Sequence, residues 1–173
     1  YFHQYEIPYD EGRLTLAQIA VKNHHNGTLN PRAHFQREIT TDQVVNAPMI
    51  AWPLGLFDCC GVSDGGAAAI ITTPEIARSF REDYILVKAL GLSVGAFGRL
   101  RDDWDFTHFP ESVRASQAAY QEAGITNPRE ELDLAMVHDC FTITELIIYE
   151  DLGFSPRGNA SADVEAGTFG LEG

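Results

Sequence analysis

Asp133-Leu134-Ala135-Met136-Val137-His138-Asp139-Cys140-Phe141-Thr142-Ile143-Thr144-Glu145-Leu146 changes from an apolar run to a helical pattern, with a histidine and an aspartate at the change. Leu134 to Val137 is short and apolar and follows the polar turn Thr126-Asn127-Pro128, which predicts a buried strand. From Phe141 the period lengthens. Ile143, Leu146, Ile147 and Tyr149 to Leu152 suit a helix stopped by Gly153. Open α/β sheets present catalytic groups at the carboxyl ends of their strands, so His138 and Asp139 are candidates for such a rim. A histidine at this junction can equally cap the helix or pack.

Outward from that junction the chain alternates. Towards the amino terminus, Pro110 opens a helix that Gly124 ends after Ala123, and Tyr84 to Phe97 is apolar and β-rich. Thr73-Pro74 starts a helix running to about Phe80, preceded by small residues that predict a buried strand from about Gly66 to Thr72. A short capped turn of helix is expected over Thr41 to Asn46, after a polar loop from Leu29 to Thr40. A first helix spans about Gly12 to His25 and stops at Asn26-Gly27. The segments 101–109 and 153–173 read as loops. Helices alternating with strands predict an α/β layered fold.

Composition narrows the function. The 173 residues suffice for one domain with a sizeable core, and 45% hydrophobic with 21% charged content is that of a globular chain. No run approaches the roughly 18 apolar residues of a membrane span, and no basic-then-apolar leader is present, so no membrane span is expected. Cys59, Cys60 and Cys140 make an odd count with two adjacent, which is no disulfide framework; a reducing, cytoplasmic setting is expected. Without a Cys-x-x-Cys pair no structural zinc site, and no metal, is expected. A net charge of −13 argues against nucleic-acid binding. Yet Arg13, Lys22, Arg32 and Arg37 lie in a stretch with no Asp or Glu, a patch that suits an anion. The start at Tyr1 and the unclosed glycine-rich end suggest a piece of a longer protein.

Three blocks carry a family resemblance. They are Lys22-Asn23-His24 with Asn30-Pro31 and Phe35 downstream; Asp58-Cys59-Cys60-Gly61-Val62-Ser63-Asp64-Gly65 leading into the alanine run; and Val137-His138-Asp139-Cys140-Phe141 leading into Glu145-Leu146 and Glu150-Asp151-Leu152-Gly153. In order and spacing the chain resembles the thiolase superfamily, and within it the sterol-carrier or lipid-transfer-protein type, in which His-Asp-Cys-Phe replaces the usual Asn-Glu-Ala-Phe.

The resemblance implies a layered αβαβα thiolase-like fold of which only the middle portion is present. It implies that residues 1–48 end a loop domain facing CoA, 49–80 end the amino-terminal core half, and 81–173 start the carboxyl-terminal half. The implied chemistry is Claisen condensation or thiolytic cleavage of a 3-oxoacyl-CoA in lipid metabolism, by an acetyl-CoA acetyltransferase-like acyltransferase with no covalently bound cofactor. Here the substrate is itself a coenzyme A thioester. His138 would be a catalytic donor at the oxyanion, Asp139 would orient the junction, and Cys140 and Phe141 would pack beside the pocket. Lys22, Arg32 and Arg37 would face the CoA phosphates. The family's nucleophilic cysteine, its Gly-His-Pro and its Cys-x-Gly do not occur in this chain, so the segment by itself is expected to be inactive. A homodimer through the core and a small OB-fold partner subunit are implied as assemblies. Two alternatives stay open: a retro-aldolase acting on sterol side-chain CoA thioesters, and a non-catalytic acyl-CoA-binding or assembly subunit.

Overall fold

The computed structural model describes residues 1–95 and 104–171. Helix α1, Tyr9–Thr28, is the axis of the packing. Asp10 and Glu11 in its first turn complement the helix dipole. Two adjacent stripes of its surface are buried in two separate clusters. Leu16 and Ile19 join Leu146, Tyr149 and Ala160 in one core cluster, and Ala17 and Ala20 join Ile39 and Val44 in a second. Burying each of the larger side chains contributes about 1.5–3 kcal/mol, so these stripes fix how α1 sits.

Helix α1 does not stop at Asn26-Gly27 as the sequence predicts, but runs through to Thr28. Gly27 serves a close approach instead: a Cβ there would lie 2.5 Å from the carbonyl oxygen of Phe35. That contact brings the loop after α1 back along the helix to α2, Thr41–Val45, which Thr40 and Gln43 cap reciprocally. A two-stranded antiparallel hairpin follows, β1 (Met49–Ala51) and β2 (Leu54–Gly55), then a single 3-10 turn over Leu56–Asp58.

Four of the expected helices stand where the sequence puts them: α2; α3, Pro74–Phe80; α4, Pro110–Ala123, ended by Gly124 at φ 76°; and α6, Thr142–Asp151. The sequence does not predict α5, Pro128–Glu131, or α7, Ala160–Glu165. Helix α7 lies within the expected carboxyl-terminal loop and packs on α1 and α6. Its first residue, Ala160, is fully buried and donates its N–H to Glu150 Oε1 at 3.1 Å.

The three expected strands need correction. Residues 66–72, 84–95 and 134–137 form no regular element and no ladder among the described residues, and the end of the second strand, 96–97, lies outside them, as do 101–103 of the expected loop. Ile70, Ile85 and Met136 are 94%, 92% and 96% exposed. An apolar strand earns its regularity from neighbours that pair its backbone and cover its faces. No second strand pairs with these runs among the described residues; 90–95 lie against α4, where Leu90 N–H donates to Glu122 at 3.2 Å, and Val137 packs on the first core cluster.

Candidate functional site

The second half of α1 lies against α6, and this packing brings together polar side chains far apart in sequence. Glu145, on the first turn of α6, is 2% exposed. Its Oε1 receives Lys22 Nζ at 2.5 Å and the Tyr149 hydroxyl; its Oε2 receives Asn23 Nδ2 at 2.5 Å. The same Nδ2 donates to Asp139 Oδ2 at 2.6 Å. An amide NH2 has two hydrogens, so Asn23 can serve both carboxyl groups at once.

Asp139 is half-buried, and its Oδ1 is enclosed without a hydrogen-bond partner among the described residues. Burial, reinforced by the neighbouring Glu145 charge, pushes its carboxyl up to about 6, against the opposing pull of the Asn23 hydrogen bond, Lys22 and His138. Burial and Glu145 likewise push the Tyr149 phenol above its ordinary range, so it remains a donor. A carboxyl group that titrates near neutrality can hold or release a proton under working conditions.

A second buried network forms the floor. Asp58, 1% exposed, accepts from Arg13, from the Gly55 N–H at 2.7 Å and from Thr142 Oγ1 at 3.0 Å. Thr142 opens α6, so this carboxylate fixes the helix start relative to α1 and the hairpin. Just beyond it, Cys59 and Phe141 form an antiparallel bridge, and Cys60 N donates to Cys140 O at 3.1 Å. The adjacent cysteines thus hold the backbone of the His138–Phe141 junction. Burial, with Asp58 adding, pushes the Cys59 thiol up, away from the reactive thiolate. Cys140 is half-buried with its Sγ 3.5 Å from Thr144 Oγ1.

A cavity of about 630 Å³ opens beside the junction, walled by Asn23, His24, Phe35, Phe57, Cys60 and Asp139 among others. His24 stacks on Phe35 at 5.8 Å and donates from Nδ1 to the Arg37 carbonyl at 3.2 Å.

Of the residues predicted from sequence, His138 is exposed next to Asp139, does not line the cavity and makes no hydrogen bond among the described residues. Phe141 is 40% exposed. Lys22 and Asp139 come together through Glu145 and Asn23, whereas Arg32 and Arg37 are exposed on the loop, Arg37 bordering the cavity. Asn23, Glu145 and Tyr149 were not singled out as site residues by sequence. Two signals mark them: Asn23 and Glu145 stand in the blocks that carry the family resemblance, and the Glu145–Tyr149 spacing puts both on one face of α6. Among the described residues no group of three His, Cys, Asp or Glu could hold a metal ion, and no helix is long and apolar enough to cross a membrane.

In sequence and in fold the chain is similar to thiolase-type proteins. Residues 98–173 match the family described as thiolase C-terminal domain-like. An acetyl-CoA acetyltransferase of Methanothermobacter thermautotrophicus is 38% identical over 99% of this chain and 43% of its own length, and the sterol carrier protein 2 of Oryctolagus cuniculus is 31% identical over 88% and 28%. A solved structure described as the Ltp2-ChsH2(DUF35) aldolase superposes with a TM-score of 0.80 at 30% identity, covering 96% of this chain and 43% of that one. The chain therefore carries part of a thiolase-like fold and spans less than half the length of these relatives.

Proposed function

We propose that this chain is part of an acyl-CoA enzyme of the thiolase type, which makes or breaks a 3-oxoacyl-CoA by Claisen condensation or thiolysis, with His138 donating to the oxyanion. The observation that carries this reading is the His138–Asp139 pair just before a helix anchored by two buried networks, with Asp139 lining the cavity. A donor at this position lowers a barrier to the extent that the bound substrate fixes its ring, since a donor already aimed at the developing charge need not reorient. Asp139 orients the junction from behind, Cys140 and Phe141 pack beside it, and the substrate is a CoA thioester with no resident cofactor. Arg32 and Arg37, exposed on an acid-free stretch, suit the CoA phosphates. Lys22, bound to Glu145, serves the junction rather than a phosphate.

In this reading residues 1–48 close a CoA-facing loop domain, 49–80 end one core half and 81–173 begin the other. The core pairs as a homodimer, and the three free cysteines suit a reducing cytoplasm. The similarity to a structure named as an aldolase containing a DUF35 component supports a second reading, carbon–carbon cleavage of a sterol side-chain thioester with a small OB-fold partner subunit.

The test uses the complete polypeptide that carries this segment. His138→Ala should lower the rate of acetoacetyl-CoA thiolysis by about 100-fold or more while CoA binding, followed by calorimetry, stays within a few-fold. Retro-aldol turnover without thiolysis would select the second reading. Unchanged thiolysis in H138A would remove His138 from the mechanism.

A further inference from the structure

An oxyanion developing beside His138 would meet the carboxyl group of the next residue. Whether Asp139 carries a proton therefore bears on the site, and the structure shows what governs it. Asn23 Nδ2 reaches Asp139 Oδ2 at 2.6 Å and Glu145 Oε2 at 2.5 Å, which brings two carboxyl oxygens within about 5 Å of each other. Like charges that close disfavour ionisation of both groups. The compensation is unequal: Lys22 and the Tyr149 hydroxyl both bind Glu145, while Asp139 has only the Asn23 N–H and an enclosed, unpartnered Oδ1 among the described residues.

We propose that Asn23 is a positioning residue: its single amide group clamps Asp139 to Glu145 and, as the one hydrogen-bond donor to Asp139 among the described residues, favours the ionised carboxylate that the nearby Glu145 disfavours, so that it sets the charge carried beside His138. This rests on the oxyanion role proposed for His138. The charged and titratable groups around Asp139 are Lys22 and His24 from α1, Glu145 and Tyr149 from α6, His138 on its own segment, and Arg37, Asp58, Cys59 and Cys60 around the adjoining cavity. Among these, Glu145 gives the strongest push towards the neutral acid and Asn23 the strongest pull away from it. A plain structural tie would hold the two helices together without setting that balance.

The experiment follows the Asp139 carboxyl directly, by carbon-13 NMR of the labelled side chain in the complete polypeptide. Asn23→Ala should move its titration midpoint up by about one pH unit, through loss of the hydrogen bond to the ionised form. Glu145→Gln should move it down by a similar amount, through loss of the like charge. In kinetics, N23A should lower kcat about tenfold with KM for the acyl-CoA within twofold, and this loss should vanish in an Asp139→Asn background. Midpoints that stay put, or N23A and D139N losses that multiply, would overturn the clamp. E145Q keeps the side-chain shape, so an unmoved midpoint in that variant overturns it even if N23A does not fold. The titration does not depend on His138: shifted midpoints with an undiminished H138A rate would sink the oxyanion reading and leave the clamp standing.

Discussion

Relative to the unfolded chain, the fold makes Asp139 harder to ionise. Its carboxyl is raised from 3.8 to about 6 by burial and by Glu145. At acid pH both folded and unfolded chains hold the proton and the group contributes nothing to pH dependence. As pH rises towards 6 the unfolded chain gives up its proton first, and ionisation increasingly costs the folded state stability. Above the folded value the cost is complete, at about 2–3 kcal/mol on a scale of roughly 1.4 kcal/mol per pH unit. Asp139→Asn removes that cost and keeps an oxygen for Asn23 to donate to. Melting temperatures of the complete polypeptide should rise in D139N at about pH 8, with the gain shrinking towards pH 4. An equal gain at both ends of that range would mean that Asp139 is not destabilised by ionisation.

Among the elements, the helices were the legible part because their ends are written locally. Pro74 and Pro110 occupy first helical positions, and Gly124 takes the left-handed conformation after α4. The same kind of signal failed at Asn26-Gly27, where the glycine answers a neighbour rather than a helix end. Gly158 and Gly167, both with positive φ, bound α7 rather than exclude a helix there. The apolar runs are legible as β-formers, but pairing is a property of neighbours, and a run such as 84–95 has helix α4 and no second strand beside it among the described residues. The site divides the same way. His138 and Asp139 stand at a change of period, whereas Asn23 meets Asp139 and Glu145 across 116 and 122 positions, with no periodic trace. Gly27→Ala tests the close approach. Alanine is the better helix former by about 1 kcal/mol, but its Cβ would lie 2.5 Å from the Phe35 carbonyl oxygen, which backbone must move to relieve. The clash should win, with a net loss of about 1–3 kcal/mol in urea unfolding. A stabilised variant would show that the loop yields freely.

Across the molecule, three segments meet on one buried carboxylate. Asp58 binds Arg13 of α1, the Gly55 N–H of the hairpin and Thr142 at the start of α6, and so sets the junction against the axial helix. Arg13 is 6% exposed, so removing Asp58 strands a guanidinium away from water. Asp58→Ala should therefore cost about 3–5 kcal/mol, well beyond the loss of one contact. Thr142→Val removes a single hydrogen bond to a charged group and should cost about 1.5–3 kcal/mol. The effect of D58A should also reach the site: the Cys60 N–H, bonded to the Cys140 carbonyl at 3.1 Å, should lose protection from hydrogen exchange. Replacing both charges, Arg13→Met with Asp58→Leu, leaves no uncompensated charge and should destabilise less than D58A alone. If the double variant is instead the less stable of the two, the tie acts through its hydrogen bonds to Gly55 and Thr142 rather than through charge pairing, and the T142V loss should then account for a correspondingly larger share.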